Sequence, residues 1–156
     1  MSYSVLFVCL GNICRSPMAE AVFRDKASKA GLREVEIDSA GTGDWHVGKP
    51  PHEGTRAILD TNLISYDGMR ARKLKAEDGE KFDLIVAMDT NNERDIRSII
   101  GSNTRAEVIR FLSLVPEKGI DDVPDPYYTG NFEEVYEMVG EGCDRLIARI
   151  ASRQNG

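Results

Sequence analysis

Val5-Leu6-Phe7-Val8-Cys9-Leu10-Gly11-Asn12-Ile13-Cys14-Arg15-Ser16-Pro17 decides how the rest of the chain is read. Val5 to Cys9 is an apolar run too short for a buried helix, so it predicts a buried strand. Ser16 is a plausible N-cap and Pro17 a plausible first helical residue. The segment is therefore a strand, a glycine-containing loop and a helix start, with a thiol at the bottom of the loop. A loop that feeds a helix N-terminus aims backbone N–H groups into one hollow, and the helix dipole adds partial positive charge. Arg15 adds a planar fork suited to two oxygens of a phosphate. Such a field favours a thiolate at Cys9, a nucleophile aimed at the bound anion. Ser16 could donate to the sulfur.

Downstream, the helix runs through Ala19, Val22, Phe23 and Ala27, and Gly31 stops it. Val35 to Ser39 alternates as a second strand and Ala40-Gly41-Thr42-Gly43 is a loop. A helix is expected over Glu53 to Asn62, followed by a basic, irregular stretch over 65–75. Leu84 to Met88 is a continuous apolar strand. Thr90 and Glu93 form a capping box for a helix carrying Ile96, Ile99 and Ile100. Glu107 to Phe111 is a fourth strand. A last amphipathic helix runs from Phe132 past Ile150. Strands alternating with helices imply an α/β fold: three layers, a four-stranded parallel twisted sheet and helices on both faces. The phosphate-binding loop follows its first strand, at the strand ends where such sheets bind ligands. One domain over 1–156 is expected.

The chain of 156 residues has 41% hydrophobic and 29% charged residues and a net charge of −6. No apolar run approaches a membrane span. The start lacks a signal-peptide pattern, so a cytoplasmic protein without membrane attachment is expected. The acidic balance argues against nucleic acid as a partner. Three cysteines and two histidines form neither a disulfide framework nor zinc-ligand spacing, so no metal and no cofactor are expected.

Cys-x5-Arg spacing is weak alone, because Cys143 and Arg149 repeat it inside the last helix. There, core packing for the cysteine and solvent exposure for the arginine are the natural reading. The plain alternative for Cys9 is a buried structural cysteine. A nucleotide-binding P-loop lacks its G-x-x-x-x-G-K-[ST] pattern. Phosphoryl transfer to sulfur needs an acid for the leaving group. Asp125, between Pro124 and Pro126, is the best candidate, with Asp121 and Asp122 as neighbours less rigidly placed. An ordinary turn role for Asp125 is the alternative.

Together these residues resemble the low-molecular-weight protein tyrosine phosphatases. The resemblance rests on Cys9–Ser16, Asp38-Ser39-Ala40-Gly41-Thr42, Asp44-Trp45, Ala87-Met88-Asp89 and Asp125-Pro126-Tyr127-Tyr128, in that order, and covers essentially the whole chain. It implies a metal-free, two-step hydrolysis of phosphotyrosine and aryl phosphates. Cys9 would form a cysteinyl-phosphate, Arg15 and the loop Leu10-Gly11-Asn12-Ile13-Cys14-Arg15-Ser16 would hold the phosphate, and Asp125 would serve as acid and then base. The resemblance gives Asn12, Ser16 and Ser39 as loop supports and Ile13, Trp45, Tyr127 and Tyr128 as substrate walls. Protein-arginine phosphatases of related type carry threonine at the place of Ile13. Cys14 resembles a second loop cysteine that pairs reversibly with Cys9 under oxidation. Many family members have a histidine where this chain has Met69, so a bracing contact is expected to be missing or supplied differently. His46 is expected at the surface or the substrate rim. Expected partners are phosphotyrosine proteins, tyrosine kinases among them, acted on by a monomer. The competing functions are arsenate reduction, which needs cysteines that 80–100 lacks, and a non-enzymatic phosphotyrosine-binding module.

Overall fold

A computed structural model describes residues 2–155, so Met1 and Gly156 of the expected domain lie outside the described residues. Among the described residues four strands form one parallel sheet: β1 (Tyr3–Cys9), β2 (Val35–Gly41), β3 (Leu84–Ala87) and β4 (Glu107–Arg110), in the order β2-β1-β3-β4. Among the described residues six α-helices accompany them: α1 (Arg15–Lys29), α2 (Glu53–Thr61), α3 (Asp78–Lys81), α4 (Thr90–Ile100), α5 (Pro126–Thr129) and α6 (Phe132–Asn155).

The period of two in β1 sorts the core into its two sides. Val5, Phe7 and Cys9, with Leu84 and Val86, pack against Met18, Val22 and Phe23 of α1 and Val135, Val139, Cys143 and Leu146 of α6. Leu6, Val8, Ile85 and Ala87 point the other way, to Ile96 and Ile100 of α4 and to Leu74 and Phe82. Both faces of the sheet are thus covered, which is why β1 and β3 read as unbroken apolar runs. Helix α1 contacts β1, β2 and α6 and is buried along most of its length.

The strand order reverses on either side of β1. Chain segments leaving β1 and β3 therefore diverge at their carboxyl ends and open a crevice there. The loops after all four strands reach this crevice.

Several boundaries differ from the expectations. β2 continues through Ala40 and Gly41, because Cys9 pairs with Gly41 in register. β4 stops at Arg110, and Phe111–Leu114 forms a 3-10 turn that buries Phe111. Helix α1 begins at Arg15 with Cys14 at the cap position and no side-chain cap, so Ser16 is not its N-cap. The Ser16 hydroxyl is engaged instead by Asn12 and Cys9. Asp89, not Thr90, caps α4: its Oδ1 accepts from Asn92 N–H at 2.7 Å. Thr90 is occupied elsewhere, its N–H and hydroxyl both donating to Asp122. Cys143 is buried as expected, but Arg149 is only partly exposed and forms an ion pair with Glu107 at 2.9 Å. Among the described residues no helix is long and apolar enough to cross a membrane.

Candidate active site

The loop after β1 lies at the bottom of a cleft of about 190 Å3. Cys9, Leu10, Gly11, Ile13 and Cys14 form its floor and lower wall, and Trp45, His46, Asp125, Tyr127 and Tyr128 complete it. Among the described residues, the N–H groups of Gly11 to Cys14 find no acceptor, as an anion cradle requires. Asn12 permits the tight turn with φ 57°, a left-handed conformation that asparagine tolerates better than most residues.

Behind the cradle, a chain of side chains holds it in place. Asn12 Nδ2 donates to Ser16 Oγ at 2.8 Å and to Ser39 Oγ at 2.9 Å. Ser39 in turn donates to Glu20 at 2.6 Å, and Arg24 also binds that carboxylate. Asn12 Oδ1 accepts from Arg72 N–H at 2.9 Å. Ser16 Oγ reaches Cys9 Sγ at 3.0 Å. Asn12, Ser16 and Ser39 are therefore brought together behind the loop, outside the cleft wall. Glu20 is the anchor that sequence reasoning missed. A polar residue at an otherwise buried position of α1 is the signal that could have found it. Met69 packs against the large core cluster, and the brace runs through Glu20.

Arg15 is 2% exposed and lies beneath the cradle. It donates to Asp89 at 2.7 Å and to the Val123 carbonyl at 2.9 Å, and its second terminal nitrogen is 3.4 Å from Asp125. Among the described residues its buried Nε finds no partner, which leaves an edge of the fork for an anion. Burial works against the guanidinium charge, but Cys9, Asp89 and Asp125 outweigh it and hold its pKa above the ordinary value. Asp89, unforeseen as part of the site, thus caps α4 and fixes Arg15 at once.

The three candidate acids are separated by their contacts. Asp121 pairs with Arg110 at 2.9 Å, and Asp122 ties the loop to Thr90. Asp125 alone of the three lines the cleft, and it caps α5 through Tyr127 N–H. Val123 N–H bonds to the Met88 carbonyl at 2.9 Å, which docks this loop on the end of β3.

Ile13, Trp45, Tyr127 and Tyr128 all line the cleft. Trp45 lies over Gly43, where any Cβ would collide with its ring. His46 sits in the wall, its ring 3.0 Å from where a Cβ on Gly11 would be. His52 is a further unforeseen contributor. Its Nδ1 accepts from Gly54 N–H and caps α2, and its ring stacks on Phe132 and meets Tyr127 edge-on at 5.8 Å.

Cys14 is buried beside Cys9, and its thiol is pushed up to about 12 by burial, then by the Cys9 and Asp125 charges. Burial also raises Cys143. Neither thiol competes with Cys9 as a nucleophile. Among the described residues no cluster of three or more His, Cys, Asp or Glu side chains could hold a metal.

A model of the family described as low molecular weight phosphotyrosine protein phosphatase matches residues 4–155. The chain is 55% identical over 148 residues to the low molecular weight protein-tyrosine-phosphatase YfkJ of Bacillus subtilis, covering 94% of this chain and 95% of that one. It is 47% identical over 151 residues to PtpA of Staphylococcus aureus, a protein with the same descriptive name, covering 97% and 96%. The crystal structure of YfkJ superposes with a TM-score of 0.94 at 52% identity, covering 98% and 97%. With a cradle, thiol, arginine and cleft acid in this arrangement and a match over nearly its whole length, the chain belongs to the low molecular weight phosphotyrosine protein phosphatase family.

Proposed function

We propose that this protein is a protein-tyrosine phosphatase that hydrolyses phosphotyrosine and aryl phosphates through a cysteinyl-phosphate on Cys9. The observation that carries the reading is the convergence of Cys9 and Asp125 in one aromatic-walled cleft, with Arg15 locked beneath it. The phosphate dianion binds the loop amides and the free edge of Arg15. Cys9 sulfur attacks phosphorus, the S–P bond forms and the bond to the aryl oxygen breaks. Asp125 gives that oxygen its proton. Water then attacks phosphorus, Asp125 takes its proton, and the S–P bond breaks. Ser16 Oγ, 3.0 Å from Cys9 Sγ, stabilises the departing thiolate.

The aromatic walls of the cleft, Trp45, Tyr127 and Tyr128, support a flat aryl ring over the short chain of phosphoserine. Ile13 in the wall favours phosphotyrosine over phosphoarginine. Arsenate reduction by a cysteine relay is disfavoured because Cys143 is fully buried between α1 and α6, its sulfur facing the Ala19 carbonyl. A binding-only module would not need Asp125 in the cleft. We further place the protein in the cytoplasm as a single-domain monomer acting on phosphotyrosine proteins, tyrosine kinases included. Cys14, buried next to the nucleophile, supports reversible protection: peroxide oxidises Cys9 to the sulfenic acid, the Cys14 thiol displaces water, and a disulfide results.

The test is hydrolysis of an aryl-phosphate series and a phosphotyrosine peptide. Cys9→Ser is expected to be inactive. Asp125→Ala is expected to lose most activity on the poorest leaving group, because a phenol with pKa near 10 needs a proton donor more than an acidic one does. Unchanged activity in Cys9→Ser would overturn the mechanism.

A further inference from the structure

Three large aromatic side chains at the cleft are far from buried: Trp45 is 65% exposed, Tyr127 53% and Tyr128 76%. One phosphotyrosine ring in a cleft of about 190 Å3 can cover only their inner faces. They come from the loop after β2 and from α5. Tyr127 is held from behind by His52 at 5.8 Å and His46 at 6.2 Å, and Tyr128 stands edge-on to it at 5.3 Å. The outer faces are thus presented on a buttressed rim.

Their electrostatic setting is one-sided. Among the described residues no lysine or arginine lines the cleft, and its one Asp or Glu side chain is Asp125. Arg15 is buried and already paired with Asp89 and Asp125. Lys49, the lysine nearest to Trp45 in the chain, closes its turn through a backbone bond to His46 and is not part of the wall. The chain as a whole carries −6. Aromatic faces attract cations within about 6 Å of the ring centre. A cleft wall that carries one acid and, among the described residues, no lysine or arginine has nothing to hold acidic flanks and is compatible with basic ones.

We propose that the outer faces of Trp45 and Tyr128 form a cation-accepting ledge that selects phosphotyrosine flanked by lysine or arginine. The proposal rests on the phosphotyrosine reading of the same cleft and adds the chemistry of the neighbouring residues. The phosphate and ring set the depth of binding, and the flanking cation lies across the rim.

The test uses three phosphotyrosine peptides that differ only in flanking residues, which are lysine, norleucine or glutamate, with p-nitrophenyl phosphate as an unflanked control. Wild type is expected to show kcat/KM about threefold to tenfold higher for lysine than for norleucine, with glutamate lowest. In a Trp45→Leu, Tyr128→Leu double variant the lysine-to-norleucine ratio is expected to fall to about one, whatever happens to the absolute rates. Equal rates for lysine and norleucine in wild type overturn the ledge. A lysine preference that survives in the double variant also overturns it, assigning the effect to the overall negative field. Absence of hydrolysis for all peptides and the control would instead remove the phosphatase reading, and the ledge with it.

Discussion

Gly41→Ala tests how tightly the cradle is held from outside. A Cβ on Gly41 would lie 2.9 Å from the Leu10 carbonyl oxygen, 3.1 Å from the Gly11 carbonyl carbon and 3.1 Å from Asn12 Cβ. Two of these three are backbone atoms, which cannot rotate away as a side-chain tip can. Gly41 itself cannot retreat easily, because its N–H bonds to the Arg72 carbonyl at 2.9 Å and its carbonyl accepts from Leu74 at 2.8 Å. The Leu10 carbonyl is held too, by Gly43 N–H at 2.9 Å. Relief therefore requires the loop over Leu10 to Asn12 to move by about half an ångström, given that carbon–oxygen contacts favour roughly 3.5 Å. A misplacement of about 1 Å at a reacting centre costs on the order of a hundredfold, so about tenfold in kcat/KM is expected here. Overpacking also costs about 1–3 kcal/mol of stability, and Tm falls by about 2–4 °C per kcal/mol in a chain of this size. The assay is p-nitrophenyl phosphate kinetics beside a thermal melt of both proteins. A variant within about twofold of wild type in kcat/KM, with an unshifted Tm, would refute the claim that the Gly41 backbone sets the loop position.

Three further outcomes follow from side chains around the same frame. His52→Ala removes the α2 cap and the ring contacts to Phe132 and Tyr127, so it is expected to cost about 1–2 kcal/mol and to raise KM for phosphotyrosine peptides, measured by melting and steady-state kinetics. Cys14, with its thiol pushed up to about 12 by burial first and then by Cys9, keeps its proton in the folded state. Iodoacetamide at neutral pH is therefore expected to label Cys9 and spare Cys14 and Cys143, and peroxide to yield a Cys9–Cys14 disulfide, with peptide mass spectrometry as the check; over-oxidised Cys9 alone would count against the pairing. Burial alone would raise the pKa of Asp83, but the Arg105 guanidinium and the Ser4 N–H and hydroxyl outweigh it and hold the carboxyl below its usual range. A depressed folded-state pKa contributes stability above the unfolded value, near 3.9, that is lost as pH falls through the folded value. The stability gap between wild type and Asp83→Asn in urea unfolding is thus expected to be full at pH 7 and to shrink below about pH 4.

Much of this protein is legible in its residues alone, and for local reasons. The apolar runs at Val5–Cys9 and Leu84–Ala87 are strands because a sheet covered on both faces tolerates no polar alternation. Gly31 ends α1 with φ 72°, a conformation glycine adopts without cost. The cradle is equally local, since Cys9 to Arg15 are contiguous and a strand–loop–helix turn suffices to point them together. Caps are harder to read, because a hydroxyl goes to whichever partner the fold brings to it. Ser16 looks like an N-cap until Asn12 and Cys9 claim its hydroxyl. Thr90 looks like one until Asp122, 32 residues later, takes its hydroxyl and its N–H.

The sequence by itself determined the α/β class, the position of the thiol and the candidates for attack and proton transfer, because these depend on periodicity and on neighbours along the chain. Only the tertiary structure decided which of Asp121, Asp122 and Asp125 reaches the cleft, that Asp89 fixes Arg15, and that Glu20 anchors the brace behind the loop. Those choices are made by side chains competing for a few buried partners. A competition of that kind has no outcome until the four strand ends meet.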